Sequence, residues 1–141
     1  MTDRSSAPAG FSSLDAAALS QNARLLQVRT PLGEELAAER MSLREGVSEL
    51  FALTLDCLAS SAELDVQSLL GREISVSLLL ADGGRRQWHA VVEGVDALGA
   101  DGGLARYRLH AAPWLAALGL RRDSFLYQDK SVTDILAEIF A

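Results

Sequence analysis

Three stretches of this chain alternate apolar and polar residues with a period of two. Phe51, Leu53, Leu55 and Cys57 share one face of residues 50–58. Ile74, Val76, Leu78 and Leu80 do the same over 73–80, and Ala105, Tyr107, Leu109 and Ala111 over 104–111. Only a β-strand sends every second side chain to the same side, so each stretch predicts a strand with one buried face. In the last of them Arg106, Arg108 and His110 take the opposite face, as Ala52, Thr54 and Asp56 do in the first. Two Asp-Gly-Gly clusters, at 82–84 and 101–103, punctuate the pattern. Glycine reaches positive φ without a steric penalty, which tight hairpins require. The first cluster turns 73–80 into a return strand over 86–95. Earlier in the chain, 25–30 reads as a strand ended by Pro31-Leu32-Gly33, with 36–43 as its hairpin partner.

Helical signals are few. Asp65 is placed to cap a single turn over Val66–Leu70, closed by Gly71. Pro113 cannot donate to a ladder, so it ends the strand before it and suits the first turn of a short helix over Trp114–Leu118. A short strand is expected at 124–128. Ser131 and Asp134 then form a capping pair, and Val132, Ile135, Leu136 and Ile139 make one apolar stripe of a terminal helix. The sum is a mainly β chain: a small antiparallel β-barrel, or two packed sheets, with a short helix and a C-terminal helix. Residues 1–23, rich in Ser and Ala, read as a flexible tail with a helical stretch over 14–19. Residues 24–130 read as the barrel, and 131–141 as the truncated start of a following region. The stripe of that last helix needs a partner, which marks the chain as an expected piece of a longer protein.

The 141 residues suit one domain, and a chain of this length can bury roughly 70% of its unfolded surface. With 13 Lys and Arg against 19 Asp and Glu, the net charge of −6 disfavours nucleic acid and anionic membranes. No apolar run nears the ~20 residues of a membrane span. The N-terminus does not read as a signal peptide. One cysteine allows no internal disulfide, which suits folding in the cytoplasm.

Reactive chemistry is hard to assemble from these residues, and the expectation is no catalytic, cofactor-binding or metal residue. His89 and His110 fall on different strands, without the close ligand spacing of a zinc site. Cys57 lies in the apolar phase, where a thiol is inert. Nucleophile elbows and glycine-rich phosphate cradles are missing. Glu34-Glu35 reads as a solvated turn. Trp88 and Trp114 could stack a base or sugar, yet Trp88 fits a strand face and Trp114 is expected to seal a barrel end.

Several segments nevertheless resemble one family. Glu49-Leu50-Phe51, followed by Leu53, Leu55 and Cys57, is similar to an early strand of VgrG proteins. Leu64-Asp65-Val66-Gln67-Ser68-Leu69-Leu70-Gly71-Arg72-Glu73-Ile74-Ser75-Val76 resembles the family's next segment. So does Arg86-Gln87-Trp88-His89-Ala90-Val91-Val92, although Ala90 stands where the family favours glycine. Tyr107-Arg108-Leu109 through Pro113-Trp114-Leu115 and Leu118 matches a further motif. Leu126-Tyr127-Gln128-Asp129-Lys130-Ser131-Val132-Thr133-Asp134-Ile135-Leu136 matches another. These pieces run in order from about residue 25 to 140.

The resemblance implies the phage-tail-hub type of barrel in the spike of a type VI secretion system. It implies a homotrimer in the full-length protein, forming a ring with pseudo-sixfold symmetry on a hexameric Hcp-like tube. Baseplate proteins are implied as partners too. A β-helical needle, a PAAR-type tip and effectors would engage through regions outside this chain. It further implies cytoplasmic assembly and export through the type VI apparatus, with a mechanical role and no enzymatic one. Two alternatives stand beside it: the hub of a contractile phage tail or related injection particle, and a free-standing β-barrel binding module.

Overall fold

A computed structural model describes residues 24–141; the predicted tail, with its helical stretch over 14–19, lies outside the described residues. Six strands form one antiparallel sheet: β1 (Leu26–Arg29), β2 (Leu36–Arg44), β3 (Ala52–Ala59), β4 (Glu73–Leu79), β5 (Arg85–Asp101) and β6 (Leu104–Ala112). Their order in the sheet is β1-β4-β5-β6-β3-β2. The two outer strands, β1 and β2, come back into contact, so the sheet curls into a nearly closed barrel. The Arg24 guanidinium donates to the Ala38 carbonyl at 3.0 Å across that seam. The expected small antiparallel barrel is therefore the observed fold.

The alternating faces fill the interior. Leu53, Leu55 and Cys57 of β3, Ile74 and Val76 of β4, and Ala105, Tyr107, Leu109 and Ala111 of β6 are all buried in one core cluster. Phe51 packs against that cluster from its edge. Each fully buried leucine contributes about 1.5–3 kcal/mol relative to leaving it exposed. The Tyr107 hydroxyl, carried inward with its ring, donates to the Ala62 carbonyl at 3.0 Å. Ala90 also points inward, and its methyl group fills core space.

The Asp82-Gly83-Gly84 hairpin forms as expected: Gly83 has φ 83°, and Leu80 N–H donates to the Gly84 carbonyl at 2.7 Å. Other expectations change. Residues 36–43 do form a strand, but β2 pairs with β3, Leu43 opposite Leu53, and not with β1. The four-residue β1 is taken up instead by β4, Val28 opposite Val76. A 3₁₀ turn over Gly33–Glu35 joins β1 to β2 and carries the chain around the barrel, where a hairpin would have folded it straight back. Strand β5 runs on to Asp101, six residues past the expected end at 95. Register shifts between Val92 and Gly94 and between Ala97 and Gly99 break its alternation, which hid the strand from a period-two reading.

Three local readings also shift. Val66–Leu69 is a 3₁₀ turn, and the Asp65 side chain does not cap it. The Asp65 carbonyl does that work, accepting from the Ser68 N–H at 3.3 Å and the Ser68 hydroxyl at 2.6 Å. The turn after Pro113 is likewise 3₁₀ and reaches Leu120. Residues 124–128 pair with none of the six strands and form no strand of their own. The terminal helix, α1 (Val132–Ile139), begins on the predicted cap: Asp134 N–H donates to Ser131 Oγ at 3.2 Å, and Ser131 N–H donates to Asp134 Oδ2 at 3.3 Å.

Candidate functional site

The outer face of the sheet carries a ladder of charge. Pairing places Arg40 of β2, Asp56 of β3, Arg108 of β6 and Asp96 of β5 side by side in one row across four strands. Signs alternate along the row. Arg108 donates from Nε to Asp56 Oδ1 at 2.6 Å and from Nη2 to Asp56 Oδ2 at 3.0 Å, a bidentate fork. Arg40 Nε approaches the same carboxylate at 3.3 Å. Asp56 lies on the outward face, as expected, but two arginine side chains cover it to 4% exposure. The Arg108 fork, aided by the charges of Arg108 and Arg40, holds its carboxyl below the usual Asp range. His110 adds Nε2 at 2.8 Å from Asp96 Oδ2. This array is a cross-strand brace, with each charge matched.

Trp88 of β5 is buried opposite Val76 of β4. Its indole N–H donates to Glu45 Oε1 at 3.1 Å, and Arg86 donates to both Glu45 oxygens at 2.6 Å. The Arg86 guanidinium also stacks over the Trp88 ring at 4.7 Å. The indole bond first, and then Arg86, lower the Glu45 pKa. Trp88 is buried, whereas Trp114 is 52% exposed and does not take the barrel-sealing place expected of it. Trp114 stands after Pro113, where the chain has already left the sheet.

The third surface is the segment after β6. Trp114, Leu120, Phe125, Leu126, Val132, Leu136 and Phe140 are all substantially exposed there. The segment folds on itself: Trp114 meets Phe140 edge-on at 5.4 Å, Arg121 donates to the Ile139 carbonyl at 3.4 Å, and Lys130 bonds Glu138. Between these ties Leu118, Arg121, Phe125, Tyr127 and Ile139 line an open groove of about 330 Å³. On the stripe of α1, Val132 and Leu136 are exposed while Ile135 and Ile139 are half-buried.

Nothing gathers the reactive side chains. His89 and His110 stay apart on the outer face, with His110 on Asp96 and His89 exposed. Cys57 is buried, and that burial, with lesser contributions from the charges of Asp56 and Glu39, pushes its thiol up to about 12. Among the described residues no cluster of His, Cys, Asp and Glu could hold a metal ion. Asp56 and Glu45 were missed as organising groups. Their partners lie 52 and 43 residues away in sequence, so only strand register reveals them.

Barrel, hairpins and capped helix together define a tail-hub type of protein, and the comparisons agree. Residues 44–141 match the family of the phage tail baseplate hub (GPD), and the chain belongs to that family. Among curated proteins it is similar to type VI secretion system spike proteins of Pseudomonas aeruginosa. Identity is 36% over 124 residues to VgrG1b, covering 87% of this chain, and 34% over 122 residues to VgrG1c, covering 86%. The chain spans 17% of the length of each of these relatives. These relatives are named as parts of a spike or hub, not as enzymes. Among solved structures it resembles the E. coli c3393 protein, described as a type VI secretion component with structural similarity to the T4 bacteriophage tail proteins gp27 and gp5. The TM-score is 0.63 at 24% identity, covering 82% of this chain and 31% of that one. That likeness concerns the fold.

Proposed function

We propose that this chain is the hub-barrel part of a type VI secretion spike. Three subunits of the full-length protein form a ring that seats a hexameric Hcp-like tube on one side and leads to the puncturing needle on the other. Baseplate proteins hold the ring during assembly. A PAAR-type tip and effectors engage through parts outside this chain. Residues 24–130 act as the barrel unit, and 131–141 begin the next region, whose packing covers Val132 and Leu136. Assembly takes place in the cytoplasm, and export runs through the contractile apparatus.

The observation that carries the reading is the join between a closely packed barrel and an apolar segment left uncovered beside it. The family match takes in both, since it runs through 44–141. A part that transmits load needs a rigid core more than a reactive pocket. The charge ladder ties β3 to β6, and Glu45 holds Trp88 of β5. No catalytic, cofactor or metal residue is assigned in this reading. The family's description as a phage tail hub keeps the hub of a contractile phage tail as the second reading.

Blotting cells and culture medium with an antibody to this chain tests the proposal. A band several times longer than 141 residues, present in the medium and lost when sheath contraction is disabled, is expected. A band of this length confined to cells overturns it in favour of a free-standing binding module. A long band found only in purified phage-like particles moves the second reading into first place.

A further inference from the structure

The outer face of the barrel has two unlike walls. On β2, β3 and β6 the cations stand on carboxylates: Arg40 and Arg108 on Asp56, Arg106 on Glu39, and His110 on Asp96. On β1, β4 and the first half of β5 they do not. Pairing sets Arg29, Ser75 and His89 in one row across these three strands, and Gln27, Ser77 and Gln87 in the next. Val28, Val76 and Trp88, between the two rows, are buried, so both rows face outward.

The side chains of Arg29, Ser75 and His89 bond nothing among the described residues, and Arg29 and His89 are exposed. Neighbouring strands lie about 4.8 Å apart, so Arg29 and His89 flank Ser75 with ~10 Å between their backbones. Arg85, on the same face, has no carboxylate either. Its Nη1 donates to Ser77 Oγ at 3.4 Å and its Nη2 to the Arg24 carbonyl at 3.5 Å, which lays the guanidinium over the second row. Ser77 beneath it is buried, and its hydroxyl donates to Gln27 Oε1 at 3.4 Å. The acid in these ladders is Glu73, one row beyond Ser75 and opposite Val91. Two guanidinium groups and an imidazole thus stand without anions on one wall of a chain whose net charge is −6.

We propose that the outer wall of β1, β4 and β5 docks an acidic, extended segment of another protein. One carboxylate sits over Ser75 between Arg29 and His89, and a second meets Arg85 above Ser77. Residues two apart on a strand are separated by about 6.6 Å, so Ser75 and Ser77 match carboxylates at alternate positions of an extended chain. Guanidinium groups suit this task, since they take a carboxylate through two donors at once. A wall of partnerless cations selects an acidic surface and speeds the encounter, while the carboxylate-matched wall on β2, β3 and β6 offers no such preference. The acidic balance of the whole chain favours a protein over a nucleic acid as the partner. The inference does not depend on the ring proposed above.

Amide NMR titration of the isotope-labelled chain with a capped octapeptide of alternating Glu and Ser tests this. Saturable shifts at low salt are expected at Arg29, Ser75, Ser77 and His89, and they should fade as salt screens the contact. Arg29→Glu with His89→Glu should weaken binding at least ~10-fold. Arg29→Gln with His89→Gln, which removes the cations without adding acids, should weaken it as well. Both side chains are exposed, so the core is spared. Arg122→Glu, exposed and beyond the barrel, makes a charge reversal off this wall and should leave the affinity unchanged. Shifts that map elsewhere, an absence of saturable shifts, or equal weakening by Arg122→Glu overturn the proposal. So does equal binding of the peptide with Lys in place of Glu. Tighter binding of single-stranded oligothymidylate at the same residues overturns it in favour of a phosphate-bearing ligand.

Discussion

The barrel and the segment that follows it treat the same kind of residue in opposite ways. Every buried apolar side chain among the described residues lies between Val28 and Ala112. Beyond Pro113 no side chain is buried, and seven large apolar residues there stand exposed. In the barrel, period-two alternation meets a ladder that closes on itself, so each inward residue finds neighbours on several strands. After Pro113 the chain has only its own short turns to pack against. Local order there comes from Trp114 against Phe140 and from the Ser131–Asp134 capping box, not from a core. Good local signals thus produce a stable unit in one region and a poised surface in the other.

The sharpest way to break that contrast is to remove bulk from each side. Leu109 is fully buried, and Leu109→Ala should cost about 2–5 kcal/mol through lost transfer energy and the cavity left behind. Leu126 is 84% exposed, and Leu126→Ala should stay within about 0.5 kcal/mol. Urea unfolding of both variants reads the difference directly. Equal effects would mean that the segment shares the barrel's core.

The thiol of Cys57 probes the barrel without disturbing it. With its pKa pushed up to about 12 by burial, only a minute thiolate fraction exists near neutral pH. Iodoacetamide should label the folded protein at least ~100-fold more slowly than the urea-unfolded chain. Labelling at comparable rates would show that β3 opens readily and that the barrel is not the rigid member of the pair.

Acid separates the regions by a smaller amount. The Asp56 carboxyl, held below its ordinary 3.8 by the Arg108 fork, stabilises the fold fully above that value. Since its folded pKa is depressed, this contribution is lost as pH falls below about 4 through the lower folded value. The wild type should therefore lose more stability than Asp56→Asn across that window. Glu45 is also depressed and adds to the acid loss in both proteins, so the difference between them isolates Asp56. Parallel curves would mean that the outer ladder carries no folding energy.

Much of this was readable before any coordinates. In β3 and β6 alternation named the inward residues correctly, Cys57 and Tyr107 among them, whereas in β4 it held for Ile74 and Val76 but not for Leu80, which is 40% exposed beyond the strand's end. Where a bulge inserts one residue, as at Glu93 and Leu98 of β5, the phase slips and the strand ends too early on paper. Pairing is harder still. The link between β1 and β2 looked like a hairpin because the two are neighbours in sequence, but barrel closure gives β1 to β4. The contacts that organise the surface follow register, not spacing, so Asp56 with Arg108 and Glu45 with Trp88 could not be read from sequence. The resemblance to spike proteins was legible because its motifs, on strands as well as at turns and caps, run in order along the chain.

The subtlest test lies in the cap of α1. Ser131 accepts the Asp134 N–H at 3.2 Å and holds the first turn, and replacing a Ser cap by Ala costs about 1 kcal/mol of helix stability. Because α1 buries no residue, that loss should remain local. Amide exchange in Ser131→Ala should quicken across 132–140 and stay unchanged in β3 and β6. A helix packed into the cooperative core would pass the whole loss to global unfolding, and the barrel amides would then quicken with it. In the complete assembly the same substitution should have a larger effect than in the isolated chain, because the stripe of Val132 and Leu136 would then be covered and the helix would bear a contact. The size of that increase measures how much of the segment's order is supplied by what packs onto it.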